Sequence, residues 1–244
     1  AFIRALPLKN DAASDGIRFN AVEILSNLGR VCQIQKRIPE SEAAIEESHQ
    51  LSLQLLASHP TNMFLRSNVA TSLFHRGNLR IQAGDFPKAE SLLRESLDLR
   101  KPIVGASPEL IYERHALMNT CTQLSRALLG QKKTADSIDI LKTADAYLKD
   151  DPSDVPIRQP MIVGWARVGM AATDAKEVDE AFEQGLKLTI PLASAATKAD
   201  GMRMIQQLSK AGCFKDSKRA ARLAGTEFAV FKDLPEFQAL LPKK

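Results

Sequence analysis

The feature that most limits how this 244-residue chain can fold is that it repeats itself. GDFPKAESLLRESLDLR, residues 84–100, sets the register. Shifted back by 48 residues the chain reads KRIPESEAAIEESHQLS, residues 36–52. Pro39 falls on Pro87, Glu42 on Glu90, Ile45 on Leu93, Glu47 on Glu95 and Ser48 on Ser96, with no gap. Shifted forward by 48 it reads KKTADSIDILKTADAYL, residues 132–148, with Ser137 on Ala89, Leu141 on Leu93 and Ala144 on Ser96. A further 44 residues bring KEVDEAFEQGLKLTI, residues 176–190, with Ala181 in the Ala89 position, and another 36 bring GCFKDSKRAARLAG, residues 212–225, with Ser217 there.

The stretch ahead of each copy repeats too. Arg18, Arg66, Arg114 and Arg158 head successive segments, and eleven residues after each come Gly29, Gly77, Ser125 and Gly169. Pro60, Pro108 and Pro152 each precede an arginine by six places. Each unit therefore reads as an arginine, a first helix with a small residue near its middle, a tight break, and a second helix opening on a small residue. Leu92, Leu93, Leu97 and Leu99 supply apolar positions at helical spacing. Gly84-Asp85 supplies a turn, and Pro87 and Pro39 suit a first helical turn, where a missing N–H costs nothing. One such hairpin cannot bury its apolar face, whereas a stack can. The expected fold is all-α, a right-handed α-solenoid of stacked antiparallel helix pairs with four to five repeats. Its divisions are 17–60, 61–108, 109–152, 153–194 and a shortened 195–232. Residues 1–16 read as the end of a preceding repeat, and 233–244 as a cap and tail. The opening AFIRALPLKN reads as the middle of a longer sequence.

The second-helix pattern with a glycine–acidic–aromatic turn ahead of it resembles the tetratricopeptide repeat. GDFPKAESLLRESLDL carries the resemblance best, and Trp165, Val168, Gly169 and Ala181 sit where that family places its tryptophan, its first-helix pair and its second-helix alanine. The period exceeds the family's usual 34. With HPTNMFLR as connector, it resembles the long-helix variant found C-terminal to bacterial Ser/Thr kinases of the planctomycete type. The resemblance spans roughly residues 17–232. Lys132-Lys133 departs from it where a turn glycine is expected, and the fifth unit lacks the arginine.

No phosphate-binding glycine loop, HExxH, GxSxG or kinase signature occurs, so the chain is not expected to be an enzyme. His49, His59, His75 and His115 have no metal spacing, and Cys32, Cys121 and Cys213 form no CxxC pair; no cofactor or metal is expected. Net charge is +4 with both signs interspersed, which suits a solvated surface better than nucleic-acid binding. No apolar run of about 18 residues exists to span a membrane. A cytoplasmic location is expected, or an extracytoplasmic one if a membrane segment precedes this stretch.

The resemblance implies a protein or peptide ligand on the concave face, which first helices line. Its contact positions fall on Ser26, Arg30 and Gln33 in the first unit and on Phe74, Asn78 and Gln82 in the second. They fall on Thr122 and Arg126 in the third, and on Ala166 and Met170 in the fourth. Arg30 and Arg126 flanking Phe74 and Asn78 suit an acidic peptide. The expected function is a non-catalytic interaction module within a larger signalling protein such as a Ser/Thr kinase. The alternative is an architectural spacer or self-association element with no groove ligand. The repeated arginine at the first-helix entrances gains nothing from the helix dipole there, so an acidic residue or carbonyls at the end of the adjacent second helix are its expected partners.

Overall fold

A computed structural model describes residues 12–148, 154–194 and 196–241. Among these the chain is all-α. The long helices are α1 (Ala12–Ile34), α2 (Ile38–Ser58), α3 (Met63–Gln82), α4 (Phe86–Ala106), α5 (Ile111–Gly130), α6 (Thr134–Asp145), α7 (Val155–Ala171), α8 (Ala175–Thr189) and α9 (Lys198–Lys210). Short helices α10 (Ser217–Arg222) and α11 (Pro235–Gln238) follow, with 3-10 turns between. Residues 12–16, expected to belong to a preceding repeat, form the first turn of α1. Residues 1–11, the Pro152 connector and the LPKK tail beyond Leu241 lie outside the described residues. The helices divide into two compact units, residues 1–120 and 121–244.

In the first unit the side-chain bonds show why the sequence repeats. Ser48 Oγ donates to the Val22 carbonyl at 2.9 Å, and Ser96 Oγ, 48 residues on, donates to the Ala70 carbonyl at 2.6 Å. Ser41 Oγ donates to the Gly29 carbonyl at 2.8 Å. As the donor advances along α2 its acceptor retreats along α1, so the pair is antiparallel. The small first-helix residues permit this approach. A Cβ on Gly77 would lie 2.7 Å from Leu93 Cγ, a distance that real side chains do not tolerate. Val22, Leu55 and Leu65 form one apolar cluster of this unit, and Val69, Leu73 and Leu92 another.

The turns recur as backbone geometry rather than as residue type. Lys36 has φ 61° and Gly84 has φ 77°; in the second unit Lys132 has φ 61°. Arg37 N–H donates to the Cys32 carbonyl at 2.8 Å, Asp85 N–H to Arg80 at 2.9 Å and Lys133 N–H to Leu128 at 3.0 Å. These six-to-one bonds close the first helix through a left-handed residue. The Lys132-Lys133 departure therefore leaves the turn itself intact.

Successive pairs in the first unit are tied by α2 on α3. Arg80 pairs with Glu42 at 2.6 Å, Arg76 with Glu46 at 3.3 Å, and His49 Nδ1 bonds Ser72 Oγ at 2.8 Å. The N-terminal half of α5 joins through a buried ion pair, Arg100–Glu113 at 3.0 Å, with Thr71 accepting from Arg100 and Ser67 donating to Glu113. The face of α1 that corresponds to α3's contact with α2 is open. Ile17, Ile24, Leu28 and Val31 lie on one side of α1 and are 41–63% exposed, whereas Leu65 and Leu79, 48 residues beyond Ile17 and Val31, are buried.

In the second unit Ser125 Oγ and Ser137 Oγ bond at 2.7 Å, Thr122 Oγ1 donates to the Pro160 carbonyl at 3.0 Å, and Trp165 is fully buried. The shortened fifth segment is anchored by Arg219. Its guanidinium donates to the Cys213 carbonyl at 2.8 Å, pairs with Asp179, and lies 5.3 Å from the centre of the Phe182 ring. Phe228, Phe231 and Phe237 are fully buried together, with ring centres of Phe231 and Phe237 5.6 Å apart.

The entrance arginines are structural. Arg66 Nη2 donates to the Pro60 carbonyl at 2.7 Å, just beyond the α2 C-cap His59, and Arg18 pairs with Asp15 at 3.0 Å. Arg114 and Arg158 are buried. The repeated arginine thus bonds the local chain at α1 and α3 and is buried at α5 and α7.

Candidate functional site

Ser41, Ser48 and Ser96 on the second helices spend their hydroxyls on first-helix carbonyls, so polar groups open to a ligand are to be sought on the first helices. In the first unit Arg30 on α1 and Gln82 on α3 are exposed, and Ser26, Gln33, Phe74 and Asn78 are half-buried. Phe74 and Asn78 sit one turn apart on α3. Phe74 meets His75 edge-on, with ring centres 5.4 Å apart at 68°. The Asn78 Oδ1 and His75 Nδ1 atoms are out of water with no hydrogen-bond partner. Burial pushes His75 down to about 4, and the positive charges of Arg100 and Arg30 add to the effect. His75 is therefore neutral at pH 7. The Arg30 charge acts on His75, the neighbour of Phe74 on α3.

In the second unit the expected positions divide. Arg126 and Met170 are exposed, whereas Thr122 and Ala166 are buried. Thr122 is committed to the Pro160 carbonyl and contributes to the packing of α5 on α7. One residue absent from the expected set lies with Arg126. Arg167, on α7 one turn before Met170, is partly exposed, and its Nη1 is out of water without an acceptor. Burial and the Arg126 charge both lower its affinity for its proton. Its signal in the sequence was its place one turn before Met170 on the same helix; the proximity to Arg126 depends on how α5 meets α7.

No set of catalytic groups converges at these positions. Cys32, Cys121 and Cys213 are buried thiols, and burial pushes Cys213 up to about 12, so it holds its proton and is a poor nucleophile. Among the described residues no group of three His, Cys, Asp or Glu side chains could hold a metal ion, and no helix is long and apolar enough to cross a membrane.

The fold defines an all-α protein of consecutive antiparallel helix pairs, with open polar side chains on its first helices. A family model described as tetratricopeptide repeat matches residues 20–101, which run from α1 into α4, and supports that repeat family for this part of the chain. Repeats of this family generally mediate protein–protein interaction, and folds of this type are typically non-catalytic. No curated protein matches the chain.

Proposed function

We propose that this chain is a non-catalytic interaction module that takes a protein or peptide segment along its first-helix face. In the first unit the contacts are Arg30, Phe74, Asn78 and Gln82, with Ser26 and Gln33 beside them. In the second unit they are Arg126 and Met170. The observation that supports this reading most is the division of labour between helices. Ser41, Ser48 and Ser96 on the second helices bond first-helix carbonyls, while Asn78 keeps an amide oxygen without a partner one turn from Phe74 and from His75, on which the Arg30 charge acts. A buried polar atom without a partner costs about 1–3 kcal/mol, and a bound backbone N–H would satisfy it. The cations favour segments rich in Asp and Glu. The long repeat and its connector favour a place in a larger signalling protein of the Ser/Thr kinase kind.

The test is selection from a random peptide display library on the purified chain, followed by anisotropy titration of the selected peptides. Enrichment of acidic sequences, with binding weakened at least tenfold by Arg30→Glu or Asn78→Ala in a folded protein, supports the reading. Peptides that bind both variants as well as the parent would place the ligand elsewhere. Selection of none would leave the architectural spacer as the better account.

A further inference from the structure

The second unit holds two guanidinium groups, those of Arg126 and Arg167, that form no ion pair with the described residues. Helices α5 and α7 touch where Thr122 donates to the Pro160 carbonyl and where the Thr122 methyl faces Gly164. One turn further along each helix come Arg126 and Arg167. They are close enough for the charge of one to weigh on the other, and the charges acting on Arg167 include Arg126 and no carboxylate. Neither forms an ion pair among the described residues. Other arginines of this unit are differently placed: Arg219 pairs with Asp179, Arg222 with Glu183, and Arg203 with Asp200.

A half-buried arginine whose Nη1 has no acceptor, within reach of a second arginine's charge, is unfavourable on its own. Like charges at short range repel, and partial burial deprives Arg167 of the water that would screen them. A fold of helix pairs does not need a second arginine here, since the corresponding positions one repeat earlier, 48 residues before Arg126 and 44 before Arg167, are Asn78 and Gln123. A single carboxylate would leave one positive charge uncompensated. A phosphate monoester carries about −1.5 to −2 near neutral pH, which matches two guanidinium charges, and its three acceptor oxygens can receive N–H groups from both.

We propose that Arg126 and Arg167 together form a seat for a doubly charged oxyanion of the phosphate monoester class, carried by the segment that lies on the first-helix face of the second unit. This rests on the interaction reading for the carrier, but the seat is measurable without any peptide.

The test uses the whole chain labelled with 15N at arginine, titrated at constant ionic strength and pH 7.5 with O-phosphoserine, inorganic phosphate, N-acetylglutamate or acetate. The side-chain Nε–Hε resonances are read directly. The expected result is that O-phosphoserine and inorganic phosphate shift two arginine signals together, at concentrations at least tenfold lower than the two carboxylates need. Arg126→Gln, an exposed change that leaves the fold intact, removes the response. Arg167→Lys, which keeps charge but loses the planar fork, weakens it several-fold. Equal response to carboxylates and phosphates, persistence of the response in Arg126→Gln, or a response to inorganic phosphate but not to O-phosphoserine each overturns the proposal. The last of these would mark an adventitious ion only. A failed peptide selection would count against the interaction module and leave this titration unaffected, so the two readings fail separately.

Discussion

Lys36, Gly84 and Lys132 show what a single residue position contributes to this fold. All three close a first helix in the left-handed region, and only Gly84 does so without a side chain crowding the backbone. An L-residue with a Cβ costs roughly 1–2 kcal/mol there, and part of that is recovered because glycine loses more freedom on folding. Lys132→Gly and Lys36→Gly are each expected to stabilise by about 0.5–1 kcal/mol, and Gly84→Ala to destabilise by about 1 kcal/mol. Urea unfolding followed by circular dichroism reads all three, and a loss of stability in either lysine variant would refute the account. The glycine–aspartate turn was legible because glycine advertises a left-handed residue. The same turn at Lys36 and Lys132 was hidden, because the carbonyls of Cys32 and Leu128 fix it, and a backbone bond leaves no mark on side-chain identity. Arg167 was missed for a related reason. Its meaning lies in a neighbour on another helix, which the spacing within α7 does not encode.

At the scale of the helix, the 48-residue shift located the pairs but not the reason for every matched residue. Ser48 and Ser96 aligned with no explanation in the sequence; each hydroxyl bonds a first-helix carbonyl 26 residues earlier. Ser96→Ala removes the Ser96 Oγ bond to the Ala70 carbonyl and is expected to cost about 1 kcal/mol. Ser48→Ala should cost about the same, and both are measurable as a lower urea midpoint with an unchanged slope. The repeat also supplies an internal comparison. Val31 and Leu79 hold the same place 48 residues apart, but Val31 is 41% exposed and Leu79 is 3% exposed. Leu79→Ala is expected to cost roughly 2–4 kcal/mol through cavity formation, whereas Val31→Ala should stay within about 0.5 kcal/mol. Similar losses at both sites would show that the α1 face is covered in solution. The apolar stripe on α1 could be read from spacing, but its exposure could not, because periodicity marks a face and does not say what covers it.

For the whole molecule, the two units are expected to respond oppositely to mild acid. His75 in the first unit is held near 4 in the fold, against 6.5 ordinarily. The unfolded chain therefore binds this proton more tightly than the folded one. The stability linked to His75 is full above pH 6.5 and is lost as pH falls from 6.5 towards 4. Asp145 in the second unit runs the other way. Burial raises it from 3.8 to about 6, despite the opposing charge of Lys187, so the folded chain binds that proton more tightly. Its ionised form burdens the fold above pH 6, and the burden lifts as pH falls from 6 towards 3.8. A stacked array melts as a sum of local terms and neighbour contacts, so opposite local shifts need not cancel into one transition. Hydrogen exchange at pH 7 and pH 5, corrected for the intrinsic exchange rate, should show protection falling in α3 and rising or holding in α6 and α7. His75→Gln should abolish the loss in α3 and leave α6 unchanged, while Asp145→Asn should remove the pH response of α6 alone. Equal loss of protection in both units, unaltered by His75→Gln, would mean that acid acts through general charge rather than through these two half-buried groups.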